Sequence, residues 1–501
     1  MSDIAPEDSD SHLGTIGKKV AKGAALITIG GVIVRLIGLV NTLLLARILV
    51  PADFGLVAIG ITVMQILENF SEISVSRTVV RFREGGRSLY DTLFTLSMLK
   101  GLLVFTVMAI AAPIAQRLYG DERIVAIFLV LGATALLRSF MNPKFYEFER
   151  DIDFSREFIV NLVNKVIAVA VSVAIALIFR TYWAIVLGMT TGVAVNVILS
   201  YMLRPHMPRI SFSSFRQVFG FMGWVTVVGA AIAVNNKFAV LIIGRVLGAA
   251  PNGAFYVGNQ LSELPGRELA QPIARALYPG LSSLQDNAGH MKRAFLKGGE
   301  ALGAVALPAC FGLGFVAQDF TTLVLGEGWD LAAFFVAVLT PIYGFMAIYS
   351  STEMLALAAS RVRLVFIREV IVMLVQFPLM IYWGHQYGYP GAVAAVALGA
   401  VVYILLQGWI YQRITKGAWW EPLWAARRSL IGVAAMSAWF LAVRPLIPQL
   451  DDLPIFIRLV IDVALGGLIY MAAVIAAWFV EGRPESIEVQ ALGMAGIKLS
   501  R

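Results

Sequence analysis

Apolar residues run along this chain in long blocks separated by short polar gaps. A helix needs about 20 predominantly apolar residues to cross the hydrocarbon of a bilayer. Fourteen blocks fit, near residues 24–46, 54–78, 89–116, 124–141, 158–179, 182–203, 217–246, 253–279, 294–317, 331–358, 364–383, 389–411, 428–444 and 457–480. The pattern predicts an all-α polytopic membrane protein. The eighth block is the most polar, with Glu263, Pro265, Arg267, Glu268, Gln271, Pro272 and Arg275. It is read as spanning because only then do the connections alternate in charge.

With fourteen spans, lysine and arginine collect on one side. That side receives Lys18, Lys19 and Lys22, then the connections holding Arg77 to Arg87, Arg138 to Arg156, Arg204 to Arg216, and Lys292 to Lys297. Arg361, Arg363 and Arg368 follow, then Arg413 to Arg428 and the C-terminal tail. Basic connections stay in the cytoplasm, so both termini are predicted there. The opposite connections are short, which leaves no room for a soluble catalytic domain.

Composition agrees: 59% of the 501 residues are hydrophobic and 14% charged, against roughly 25% charged in a soluble domain. The net charge of +8 is explained by basic loops, so no nucleic-acid partner is expected. Cys310 is the only cysteine and can form no intrachain disulfide. The start, MSDIAPEDSDSHLG, lacks a basic region and a cleavage site. It is read as a disordered tail rather than a signal peptide.

An internal repeat adds organisation. LLLARILVPADFGLVAIG (43–60) and LIIGRVLGAAPNGAFYVG (241–258) share a register that matches Arg47 with Arg245, Leu49 with Leu247, Gly55 with Gly253 and Gly60 with Gly258. The unit contains six spans, so both copies enter the membrane in the same direction, a parallel repeat of the kind that supports alternating access. The predicted organisation is a polar tail (1–22), an N-lobe of helices 1–6 (23–209), a C-lobe of helices 7–12 (210–416), helices 13–14 (417–480) and a second tail (481–501).

Several segments in this order resemble the polysaccharide and O-antigen flippases (Wzx type) of the multidrug/oligosaccharidyl-lipid/polysaccharide (MOP) exporter superfamily. They are IIGRVLGAAPNGAFYVGNQL (242–261), LYPGLSSLQD (277–286), ALPACFGLGFVAQDFTTLVLGEGWDLAA (306–333) and EFERDIDFSREF (147–158). The resemblance implies a substrate, a polyprenyl-pyrophosphate-linked oligosaccharide moved from the cytoplasmic to the periplasmic leaflet of a bacterial inner membrane. It also implies use in exopolysaccharide, lipopolysaccharide or capsule synthesis, a monomer in the lipid bilayer, and a polysaccharide polymerase and chain-length proteins as partners. No cofactor, metal or catalytic residue is expected.

Six basic residues fall within spans: Arg35, Lys100, Lys165, Lys237, Arg267 and Arg275. A lysine or arginine at mid-helix carries a penalty of about 2.5–3.5 kcal/mol and usually faces a wet cavity or a partner. Lys165 and Arg275 lie near the cytoplasmic end, where a long side chain can reach the interface. Arg35, Lys100 and Lys237, with Arg267, are the candidates for holding a pyrophosphate. Asn235 and Asn236 would meet sugar hydroxyls or bridge helices. Glu68 and Glu263 are candidates for binding a coupling proton, although Glu263 is also spaced to pair with Arg267. Two other readings stay open: a cation-coupled small-molecule exporter of the same superfamily, and a membrane enzyme. The second would need a sizeable periplasmic loop with acid–base residues, and none is present.

Overall fold

The computed structural model describes residues 29–70, 75, 78–79, 86–151, 154–215, 223–283, 288–359 and 361–482. The side chains of 70, 154, 223–228, 267–283 and 288 lie outside that description. The predicted N-terminal tail and all but the first two residues of the C-terminal one therefore fall outside it, as do Glu72 and the side chains of Arg267 and Arg275.

Among the described residues the chain is helical, without strands. The long elements are α1 (Ile29–Ala46), α2 (Pro51–Phe70), α3 (Arg87–Tyr119), α4 (Arg123–Ser139), α5 (Phe154–Phe179) and α6 (Trp183–Leu203). They continue with α7 (Gly223–Leu247), α8 (Ala249–Ser283), α9 (Ala288–Phe315), α10 (Asp330–Ile348), α11 (Val362–Thr415), α12 (Arg427–Ala438) and α13 (Ile455–Val480). A chain without water around it must satisfy its own backbone, and a helix does so within one segment. This is a multi-pass, all-α membrane protein.

Among the described residues, 11 helices are long and apolar enough to span, or 12 if the pair Arg123–Ser139 and Pro143–Arg150, bent by 64°, makes one span. The expected fourteen is not reached by that criterion, for two physical reasons. α8 is continuous over 35 residues but too polar to qualify. α11 counts as one element over 54 residues, about 80 Å at 1.5 Å each, far more than a bilayer of roughly 30 Å can hold, and it is in fact two helices in series. It breaks at Gly388, where φ is 67° and ψ −144°, a region open to glycine and closed to side chains with a Cβ.

The chain divides into two compact units, residues 1–233 and 234–501. In the first, α3 packs along α4 and α5 along α6, while α4 also packs on α2 and α6. The hydroxyls of Thr134 (α4) and Thr190 (α6) lie 2.8 Å apart, a polar clasp of the kind that joins helices where apolar burial gives no driving force. The turn after α4 is fixed by charge. Glu147 accepts from Tyr90 at 2.7 Å and meets Arg204 at 3.3 Å. The segment after α6 is strapped to the start of α3 by the amides of Arg209, Ser211 and Ser214, which donate to Asp91, Thr95 and Thr92 at 3.0, 2.9 and 3.2 Å.

In the second unit α8, α9 and α10 pack together, and α12 and α13 pack on each other and on α9. Leu307, Ile348, Val433, Met436 and Tyr470 share one core. Ion pairs fasten α12 and α13 at their ends. Arg458 Nε donates to Asp319 at 2.6 Å, Arg444 to Asp462 at 2.9 Å, and Arg428 to Glu300 at 2.7 Å. The two helices beyond the repeat are thus built into the second unit.

Candidate substrate cavity

The first unit holds an open cavity of about 710 Å³, within the roughly 300–1,000 Å³ usual for small-molecule sites. Helical periodicity builds its walls. On α5, Glu157, Asn161, Asn164, Lys165, Ala168 and Ser172 line it, at the three- and four-residue steps that place side chains on one helix face. On α6 the same face carries Gly188, Gly192 and Asn196. On α3 it carries Ser97, Lys100 and Gly101. Asn41 enters from α1, Glu68 from α2 and Arg138 from α4.

The glycines give the polar side chains room. A Cβ at Gly192 would stand 2.8 Å from Asn164 Oδ1, and one at Gly101 would stand 2.4 Å from Ser139 Oγ. An alanine at either position would push those groups out of place.

The charges are unequal in their partners. Arg138 Nη1 donates to both carboxylate oxygens of Glu68, at 3.0 and 2.9 Å. Glu68, a candidate for binding a coupling proton, is therefore held by a guanidinium. Lys165 forms no ion pair or hydrogen bond among the described residues. Lys165 lines the cavity from α5. Among the amides, Asn41 Oδ1 and Asn196 Oδ1 have no hydrogen-bond partner.

The other candidates are dispersed. Arg35 is exposed on α1, and Asn236 and Lys237 are exposed on α7; none of the three lines this cavity. Asn235 Nδ2 donates to Glu369 on α11, the helix-bridging role open to it. Glu263 accepts from Asn259 at 2.7 Å, and Asn259 Oδ1 in turn accepts from Tyr343. A Glu263–Arg267 pair lies outside the described side chains.

Arg368 corrects the loop reading. The charge pattern groups it with Arg361 and Arg363 as a basic connection, yet it is 2% exposed. It pairs with Glu369 and lies 4.7 Å from the centroid of the Tyr403 ring. Its helix begins at Val362, so this arginine is already in the second turn and turned inward. Nothing in charge counting separates a loop arginine from one in the next turn. The α5 face was legible, since Glu157, Asn161, Asn164, Lys165 and Ser172 stand at helical spacing.

Comparison with known proteins places this fold. The family model described as "Polysaccharide biosynthesis protein" matches residues 44–334. The lipopolysaccharide biosynthesis protein WzxC of Escherichia coli (strain K12) is 22% identical over 81% of this chain and 83% of that protein. Among solved structures, the lipid II flippase MurJ in an inward closed conformation matches 92% of this chain and 100% of its own. Its TM-score is 0.70 at 15% identity. An inward-facing multidrug resistance MATE family transporter of the MOP superfamily matches 76% of this chain and 95% of its own. Its TM-score is 0.60 at 15% identity. At such identities these two likenesses speak for the fold. The family match, which spans more than half of the sequence, says more: the chain belongs to the polysaccharide biosynthesis protein family.

Proposed function

We propose that the protein is a flippase for polyprenyl-pyrophosphate-linked oligosaccharides, carrying them from the cytoplasmic to the periplasmic leaflet of a bacterial inner membrane by alternating access. Both termini are cytoplasmic in this reading. The observation that carries it is the cavity of the first unit, with Lys100, Arg138 and Lys165 beside four asparagines. Carbohydrate needs many hydrogen-bonding groups, and an anionic carrier needs fixed cations where the effective dielectric is low. A site for cationic drugs would be built the other way round. Arg35 and Lys237 are the proposed further points of attraction for the pyrophosphate, as point or paired donors. Arg267 is proposed with them, and Glu263 is the carboxylate proposed to couple transport to a proton.

The test is polymer export in a strain lacking its own flippase, normalised to folded protein, with Lys237 as the probe of charge. Lys237→Arg should retain export, and Lys237→Met should insert normally and export poorly. No export by the wild-type chain in any acceptor strain, together with efflux of small cations, would replace the flippase reading with the exporter one. A polymerase and chain-length proteins would act on the product in the periplasm.

A further inference from the structure

Away from the cavity, the second unit gathers charge where the two ends of α11 meet. Arg361 and Arg363 stand where α11 begins, Arg413 and Lys416 where it ends, and all four are exposed. The break at Gly388 lets the chain return, so that Arg361 Nη1 donates to the carbonyl of Arg413 at 3.2 Å. Among the described residues none of the four meets a carboxylate. The acids nearby are already engaged. Glu369 pairs with Arg368, and Glu353 lies in the field of the same guanidinium. Glu421, the only acid between Trp409 and Arg428, is held by Lys292 and the Tyr411 hydroxyl at 2.8 and 2.6 Å.

The same end carries tryptophans that the fold leaves outside. Trp419, Trp420 and Trp424 are 38%, 53% and 67% exposed. They belong to the turn and the short helix Glu421–Ala425 that lead from α11 to α12. The segment itself is fixed: the carbonyl of Trp419 accepts from the Tyr349 hydroxyl at 3.1 Å, and Pro422 is buried. Cations and rings are interleaved, with Arg413 at 5.3 Å from the Trp409 ring centroid and Arg427 at 5.4 Å from that of Trp424. An indole settles at the headgroup level of a bilayer, and a cluster of about four or more basic residues at that level attracts anionic lipid. A soluble anion would use the cations and leave the indoles in water, whereas a lipid uses both.

We infer that this surface binds the headgroups of anionic phospholipids, with the phosphate on Arg361, Arg363, Arg413 and Lys416 and the glycerol and upper acyl chains against Trp419, Trp420 and Trp424. Only the leaflet, the cytoplasmic one, rests on the topology of the proposed function. The bound lipid pins the link between α11 and α12 to the membrane surface, whatever the protein carries.

The experiment places the full chain in phosphatidylcholine nanodiscs that contain a minor share of either brominated phosphatidylglycerol or brominated phosphatidylcholine, and measures the quenching of tryptophan emission. The wild type should favour phosphatidylglycerol at these rings about fivefold, the worth of one basic residue beside an anionic surface. Phenylalanine in place of Trp419, Trp420 and Trp424 should remove the excess quenching. Arg361→Gln, Arg363→Gln, Arg413→Gln and Lys416→Gln together should erase the preference, and lysine in place of the three arginines should keep it. Should the fourfold variant fail to insert, Arg363→Gln with Lys416→Gln, two side chains without a polar partner among the described residues, should show a partial loss. Equal quenching by the two lipids in the wild type would overturn the inference, as would an unchanged preference in the glutamine variants or excess quenching that survives the phenylalanine changes. Loss of the preference on adding inorganic phosphate at constant ionic strength would overturn it too, by giving the cations to a soluble anion. None of these readouts involves export, so the flippase reading stands or falls separately.

Discussion

Two charged regions stand inside the helical part of this protein, and they handle the same energetic problem differently. In the second unit Arg368 and Glu369 are each 2% exposed and pair with each other, with Asn235 adding a bond to Glu369 from α7. In the first unit Lys100, Arg138 and Lys165 border an open volume, and one of the three has no partner among the described residues. A closed pair meets the desolvation penalty with its own countercharge and serves the fold. A cation left facing a cavity keeps its attraction for something that arrives from outside. Burial alone does not separate the two regions; the presence or absence of a countercharge does.

The largest expected effect breaks the closed pair. Glu369→Ala removes the hydrogen-bonded countercharge of buried Arg368 and should cost up to roughly 3–5 kcal/mol of stability, read as a loss of folded membrane-inserted protein. The double variant Arg368→Met with Glu369→Leu removes both charges and should recover most of the loss. A Glu369→Ala protein with wild-type stability would show that the pair carries nothing for the fold.

The second effect belongs to the open region. Lys165→Met should leave folded levels unchanged and lower normalised polymer export about tenfold or more, the worth of a hydrogen bond to a charged group. Lower folded levels with proportionate export would move Lys165 to the structural side of the comparison.

The contrast between these regions also explains what the sequence disclosed. Most helices were legible from block length, because a span needs about 20 apolar residues. The family segments, such as 242–261, and the polar character of Lys100 and Glu68 could be read without coordinates. Arg368 could not, since one turn of helix separates a basic connection from a buried pair. The break inside α11 was legible as two blocks, 364–383 and 389–411, because Gly388 and Pro390 interrupt the run. The cavity was half legible. The stripe on α5 is a single-helix pattern, but its meeting with α1, α4 and α6 is a tertiary fact. The partner of Glu68 is likewise tertiary, since Arg138 is 70 residues away.

A third, smaller effect sharpens the comparison within the cavity. Arg138 and Glu68 are partly exposed, at 44% and 18% of their side chains, so their pair is worth only about 0–1 kcal/mol. Glu68→Gln should keep the protein folded, with a loss of stability no larger than about 1 kcal/mol. A markedly larger loss of folded protein would move this pair to the structural side of the comparison.

The smallest effect lies outside the spans, at Glu421. Burial alone would push its carboxyl up, but Lys292 at 2.8 Å, the Tyr411 hydroxyl and the Ala418 amide outweigh it and hold the pKa below the ordinary glutamate value. A carboxylate with a lowered folded-state pKa adds stability that is fully present above its unfolded value and is lost as pH falls through the folded one. Acid titration of the wild type should therefore show a loss, below the ordinary glutamate range, that Glu421→Gln abolishes. An identical acid profile in both proteins would show that this ion pair contributes nothing.

Reconstitution offers the sharpest decision on the flippase itself. The full chain would be placed in proteoliposomes with a polyprenyl-pyrophosphate-linked oligosaccharide, and an impermeant glycosidase would report the fraction exposed outside. The result expected is exposure well above protein-free vesicles with the wild-type chain, and near the protein-free level with Lys165→Met at equal reconstitution. Exposure by the wild-type chain that matches protein-free vesicles would contradict it.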